Sequence, residues 1–316
     1  MNWADTALDR SIVLGYSQIG YRLRASRWSD DDPQAGALAD RTVIVTGATS
    51  GIGAAIAGRV ADLGGEVVLV GRNQERADRV RAGIIDRNPA AMVRIEIGDV
   101  SDLGQVRDLA GRLAQHRVDA LVHNAGVLPP ERTESADGHE SSLATHVLGP
   151  ILLTDLLAPQ LAESPDARVI FMSSGGMYTA ELPVNDIEYH SGQYRGARAY
   201  ARSKRIQTAL LPIVARRWAP AGVFVAGLHP GWVDTPGVSD SLPRFGRVMG
   251  PLLRSAEQGA DTAVWLLATS PVPPSGQFWH DRRSRPLHYL KRTQFSEEDR
   301  ISVWRDVRVA AGMGNR

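Results

Sequence analysis

Residues 41–73, RTVIVTGATSGIGAAIAGRVADLGGEVVLVGRN, leave few architectures open to this chain. A β-branched apolar run at 42–45 passes directly into a turn containing Gly47, Gly51 and Gly53, and an alanine-rich stretch of helical spacing follows. A second apolar run at 66–70 starts after the Gly64-Gly65 break, so the segment reads as strand, helix, strand. Two strands joined by a crossover helix lie parallel in one sheet. Without Cβ atoms the glycines permit a sharp turn, and they let a pyrophosphate approach the amides at the helix N-terminus, where the dipole favours an anion.

The alternation continues along the chain. Ala77, Val80, Ile84 and Ile85 recur at helical spacing, and residues 93–97 alternate as a strand that ends at Gly98-Asp99-Val100. Residues 119–123 form a buried strand closed by Asn124-Ala125-Gly126; a long helix at 141–161 and a strand at 168–172 follow, the latter ending in Ser173-Ser174-Gly175-Gly176. Tyr200-Ala-Arg-Ser-Lys204 then puts a phenol and an ammonium on one helix face. A neighbouring cation favours the phenolate and lowers a tyrosine from about 10 towards a working range, which makes a general acid/base. Lys204 and Lys291 are the two lysines among 36 basic residues, leaving 34 arginines, so lysine at this position is a choice of a compact ammonium over a guanidinium.

In this order, the Thr46-Gly47-x-x-x-Gly51-x-Gly53 turn, Asp99, Asn124-Ala-Gly, Ser173-Ser174 and Tyr200-x-x-x-Lys204 resemble the short-chain dehydrogenase/reductase family over about 41–279. The resemblance implies an α/β fold: a Rossmann-type, doubly wound, parallel seven-stranded sheet in a single domain. Its strands would include 224–228 and 276–279, with a helix at 256–268 between them. It also implies an enzyme interconverting a carbonyl and an alcohol, with Ser174, Tyr200 and Lys204 as catalytic residues. His146 stands where the family carries a helix asparagine that holds a water for proton relay. We expect it to take over that role, neutral during turnover but adding a pH dependence on the acid side.

For the cofactor, the resemblance implies contacts from Thr46, Gly47, Ser50, Gly51, Ile52 and Gly53, from Arg72 and Asn73, and from Asp99 and Val100. It adds Asn124, Ala125 and Gly126, Tyr200 and Lys204, and finally Pro230, Gly231, Val233 and Thr235. An acidic residue after the second strand would bond a ribose 2′-hydroxyl; Arg72 stands there instead and suits a 2′-phosphate, so the expected cofactor is NADP(H). The alternatives for single residues are bland: a solvated arginine for Arg72, a helix cap for Asp99, a structural histidine for His123. Within the family, 229–237, the Ser-Ser-Gly-Gly-Met run and 258–262 look most like the dehydrogenase/reductase member twelve branch. The 26 positions between Ser174 and Tyr200 look like retinol dehydrogenase-like members and point to a lipophilic substrate. The competing function is a non-enzymatic member that keeps NADP(H) as a structural or sensing ligand.

Composition bounds the rest. With 36 Lys+Arg against 35 Asp+Glu, no global field argues for nucleic acid as a partner. The absence of cysteine excludes disulfides and thiolate metal sites, and His123 has no second histidine or carboxylate at metal spacing beside it, so no metal is expected. It also fits a reducing, cytoplasmic location. Residues 1–40 are expected to hold an amphipathic helix over 9–28 and a linker from 29 to 39. On that helix Ile12, Tyr16, Ile19 and Leu23 form an apolar stripe and Arg10, Arg22, Arg24 and Arg27 supply charge. Packing of that stripe on the domain or on a second subunit is expected, with peripheral contact to an anionic membrane as the alternative and no spanning segment. The domain itself is expected at 41–280 with a lid at about 238–256, and 281–316 as a C-terminal extension. A small-molecule substrate and a homo-oligomer complete the expected partners.

Overall fold

A computed structural model describes residues 3–29, 32–234 and 250–314. Thr235 and the 238–249 part of the expected lid lie outside the described residues. Strands β1 (Thr42–Thr46), β2 (Glu66–Gly71), β3 (Val93–Ile97), β4 (Ala120–His123), β5 (Arg168–Met172), β6 (Phe224–Leu228) and β7 (Gln277–His280) run parallel in the order β3-β2-β1-β4-β5-β6-β7. Every residue of β1, β4, β5 and β6 is buried, the signature of a parallel sheet covered on both faces. The pleat divides the strands between two cores. Ile44, Leu121 and Phe171 face helices α6 (Leu103–Leu113), α8 (Gly149–Ala162) and α9 (Gly196–Trp218). Val43, Val45, Val122 and Ile170 face α4 (Gly51–Asp62), α5 (Gln74–Arg87) and α10 (Ala256–Ala268).

The expectation of seven strands is corrected by an eighth. β8 (Arg283–Ser284) turns back antiparallel along β7, with Trp279 opposite Ser284 and His280 opposite Arg283. A two-residue strand has no periodicity to read. The order of the sheet reverses between β1 and β4, so the carboxyl ends of these two strands part and leave a crevice there. The stretch Ser141–Ala162, which comprises α7 (Ser141–Leu143), a π-helical turn at Ala144–Leu148 and α8, has the length and hydropathy of a spanning helix but is 78% buried inside the fold.

Both extensions fold onto the domain, and the N-terminal one differs from expectation. Instead of one helix there are three short ones, α1 (Trp3–Arg10), α2 (Ile12–Tyr16) and α3 (Gln18–Ala25), and Ser17 caps the last through Ile19 N–H. The expected stripe packs on the domain only in part: Tyr16 is buried against His229 and His280, Ile19 and Leu23 are 41% and 53% exposed, and the side chain of Ile12 is not described. Beside Tyr16 the docked side is charged. Arg24 is buried and reaches Asp5 Oδ1 at 2.9 Å and Asp281 Oδ2 at 2.6 Å, and Arg254 holds the same Asp281 at 2.6 and 2.9 Å. Arg285 of the C-terminal extension closes the cluster on Asp5 at 2.9 Å, and helix α11 (Glu297–Ala310) buries Val303 and Val307 in the main core. Arg283 and Arg285 of the C-terminal extension are thus paired with N-terminal acids.

Burial opposes ionisation of Asp5, but hydrogen bonds from Arg285 and Arg24 win and bring it to about 2; burial likewise opposes Asp281, and His280 and Arg254 hold it well below the usual range. A depressed carboxylate stabilises above its unfolded pKa of about 4 and loses that contribution as pH falls through the folded value. Unfolding followed by circular dichroism should therefore show stability falling steadily from about pH 4 to 2. Asp281→Asn leaves two buried guanidiniums short of their anion, and urea denaturation should register a loss of about 3–5 kcal/mol. A change below about 1 kcal/mol would show that the cluster does not hold the N-terminal segment.

Candidate active site

The crevice between β1 and β4 opens into a cleft of about 660 Å³. Its floor is braced before any ligand is considered. Thr46 Oγ1 accepts from the N–H groups of Asn124 and Ala125, and Asn124 Nδ2 donates to the carbonyls of Thr46 and Gly47 at 3.1 and 3.2 Å. Gly47 has a φ of +65°, and a Cβ there would stand 2.7 Å from Ala125 Cα. The Ser50 side chain makes no capping bond to α4, so the first amides of that helix open towards the cleft at Gly51 and Ile52. This fits a dinucleotide phosphate: an uncapped helix N-terminus beside a backbone too close for any side chain.

At the other end stand the candidate catalytic groups. Ser174 follows β5, and its Oγ accepts from Gly176 N–H at 3.1 Å, which leaves its proton for the half-buried Tyr200 phenol, whose ionised form that hydrogen bond favours. Lys204, one turn along α9, is 3% exposed and donates from Nζ to the Met172 carbonyl at 2.6 Å. Burial alone brings this ammonium down to about 7. Burial also raises the Tyr200 phenol, and the group that opposes it is Ser174 rather than Lys204, whose Nζ lies 5.7 Å from the ring centroid. The pull of lysine on tyrosine expected from their spacing is therefore weaker here than the hydrogen bond from serine.

Comparison with known proteins agrees with this geometry. The short chain dehydrogenase family matches residues 41–244. This chain belongs to the short-chain dehydrogenase family. It is 38% identical to dehydrogenase/reductase SDR family member 12 of Bos taurus, over 90% of this chain and 91% of that one, and 31% identical to retinol dehydrogenase 13 of Homo sapiens, over 76% and 71%. Among solved structures, one from Mycobacterium paratuberculosis shares the fold at 24% identity with a TM-score of 0.71, covering 92% of this chain and 99% of that one. Another, from Beutenbergia cavernae with NADP bound at low occupancy, has 27% identity and a TM-score of 0.62 over 77% and 95%.

The cleft of this short-chain dehydrogenase is lined by most of the residues expected from the sequence: Gly47, Ser50, Gly51, Ile52, Arg72, Asp99, Val100, Asn124, Ala125, Gly126, Ser174, Tyr200, Lys204, Pro230, Gly231 and Val233. Four others act from behind it. Thr46 braces the floor; a Cβ at Gly53 would stand 2.3 Å from the Gly47 carbonyl; Asn73 caps α5 through Arg76 N–H; and His146 lies beneath Tyr200. Asp99 does not cap α6, which Asp102 does through Gln105 N–H; its Oδ1 accepts from Ser101. His123 bonds Thr154 at 2.7 Å, and burial brings it to about 3. Sequence reasoning missed Arg76, Thr145 and Trp232. Arg76 had a signal, a second arginine shortly after Arg72, in the first turn of the helix that follows β2.

His146 departs from its expected role. Val127 N–H donates to Nε2 at 3.0 Å, so the proton sits on Nδ1 and goes to Ser203 Oγ at 2.7 Å; Ser203 in turn donates to the Tyr200 carbonyl at 2.8 Å. Both ring nitrogens are occupied by protein groups. Burial first, and the Lys204 charge second, hold His146 well below 6.5, so it is neutral without titrating near neutrality. Its edge packs against the Tyr200 ring at 5.2 Å, which makes it a positioning group.

Tyr200→Phe should lower kcat/KM by at least about 10²-fold while a fluorescence titration with NADPH is unchanged. For His146→Asn the expected acid limb is withdrawn: the pH profile of kcat/KM from about 5 to 8 should overlay that of the wild type, because the imidazole does not protonate there. A limb that disappears in the variant would restore the relay.

Proposed function

We propose that this short-chain dehydrogenase is an NADP(H)-dependent enzyme that interconverts a carbonyl and an alcohol on a lipophilic small molecule. Its family makes it an oxidoreductase; the observation that carries the finer reading is the convergence of Ser174, Tyr200 and Lys204 on one wall of the cleft, with arginines at the opposite end. The cofactor would be held by the α4 N-terminus and the 124–126 and 230–233 backbone, and NADPH supplies the hydride when bound. Tyr200 gives its proton to the carbonyl oxygen, and Ser174 turns its hydroxyl proton from the phenol to hold that oxygen. Lys204, in a site where its ammonium is destabilised by burial, favours the phenolate left behind.

Two arginines support NADP(H) over NAD(H). Arg72 and Arg76 both line the cleft beyond β2, where no carboxylate stands in sequence to take a ribose hydroxyl, and Arg72 is 66% exposed with Asp99 at 3.3 Å. A planar guanidinium free to swing suits a phosphate dianion. Leu128, Met172 and Trp232 give the substrate end an apolar lining, and the name of the retinol dehydrogenase 13 relative supports a lipophilic substrate. A cytoplasmic site of action belongs to the same proposal, since a chain without cysteine suits a reducing compartment. No observation favours the sensing alternative, because the catalytic trio is complete.

Arg72→Asp tests the cofactor. Isothermal titration should show NADPH binding weakened by about 10- to 100-fold, the worth of a charge-assisted contact, while NADH changes by less than about threefold. Equal losses for the two would overturn the choice of NADP(H).

A further inference from the structure

The long segment between Ser174 and Tyr200 builds a second cavity of about 510 Å³. It adjoins the cleft, sharing Thr179, Ala197 and Ala201 with it. Four guanidiniums line it, those of Arg195, Arg198, Arg202 and Arg292, against the single carboxylate of Glu181. In a chain with 36 basic and 35 acidic residues, where exposed arginines pair locally as Arg79 does with Glu75 and Arg112 with Glu96, four against one is a local excess.

The four are not alike. Arg202 is committed to structure: it stacks on Tyr189 at 4.4 Å and pairs with Asp186 at 3.7 Å. Arg195, Arg198 and Arg292 are exposed and make no ion pair among the described residues; Arg198 rests only against the Tyr189 ring, at 5.8 Å. Arg195 also caps α9 without a side-chain bond, so the positive end of that 23-residue helix adds to the same field. Tyr200 lies five residues along the same helix, roughly 7–8 Å along its axis at 1.5 Å per residue. An anion among the arginines and a carbonyl at Tyr200 could therefore belong to one molecule of several carbons.

We infer that this cavity is an anion subsite of the active site, and that the substrate is an oxo compound whose apolar body ends in a carboxylate or phosphate held by Arg195, Arg198 and Arg292. This rests on the carbonyl-reductase reading above and deepens it: an apolar middle reaches the cleft lining while the charged end stays with the guanidiniums. Arginine forks recognise both oxyanions bidentately.

The test compares NADPH oxidation with a terminal-aldehyde fatty acid, its methyl ester and the corresponding aldehyde alkyl phosphate. The wild type should prefer an anion over the ester by at least about tenfold in kcat/KM, the worth of one charge-assisted contact, and the two anionic arms distinguish carboxylate from phosphate. Arg195→Gln/Arg198→Gln should collapse that ratio, as should Arg292→Gln on a different element, with melting temperatures within about 2 °C of the wild type. An acid-to-ester ratio near one in the wild type, or a ratio that survives both variants, overturns the subsite. A second arm needs no turnover: Tyr200→Phe protein with NADPH is titrated with dodecanoate and with dodecanol by tryptophan fluorescence. Arginine-dependent binding of dodecanoate without turnover of any carbonyl would keep the subsite and remove the reductase reading. Turnover of neutral carbonyls with no preference for dodecanoate would do the reverse.

Discussion

Asp281 is one carboxylate shared by two guanidiniums from distant parts of the chain, and the geometry of the cleft depends on it. It is 2% exposed, with Arg24 on one oxygen and Arg254 on both. Arg254 spends its remaining donors on the carbonyls of Gly15, Tyr16 and Pro230, while the Trp232 N–H goes to the Tyr16 carbonyl. A Cβ on Gly231 would stand 2.3 Å from Arg254 Nε, so the loop that lines the cleft is pressed directly on the buried cation. Tyr16 completes the support, edge-on to His229 at 4.2 Å and close beneath Gly175, the residue after Ser174. A buried ion pair is weak as a source of stability but costly to break, and that asymmetry suits a part whose task is to fix one arrangement of a loop.

It follows that the N-terminal segment is part of the active-site scaffold, which no local pattern in residues 3–29 announces. An arginine in a helix reads as a solvated residue, and an isoleucine or leucine nearby, such as Ile19 or Leu23 beside Arg24, reads as the buried one. Here the order is inverted, because the partners of Arg24 are 19 and 257 positions distant and a stripe of three or four apolar residues cannot outweigh them. The legible parts were those set by short-range rules. Continuous apolar runs gave the parallel strands, glycines gave the turn after β1, and spacing of four put Tyr200 and Lys204 on one face. The second cavity was hidden for the opposite reason: its arginines are ordinary surface residues until folding sets Arg292 beside the start of α9.

The same division explains the two residues nearest the phenol. Spacing on a helix gives a shared face but not a contact, and Lys204 uses its proximity to reach the Met172 carbonyl rather than the phenol itself. His146, in the π-helical turn, is kept neutral by burial and by that ammonium, so the site holds one cation rather than two. This is also why lysine stands at 204 in a chain whose 36 basic residues include 34 arginines. Three donors on a compact head fit a site 3% exposed, with one carbonyl at 2.6 Å and room towards the cleft, whereas the five donors of a guanidinium would go short of acceptors there. The ammonium pays for burial with a pKa of about 7, and that instability is what makes a nearby phenolate a welcome partner.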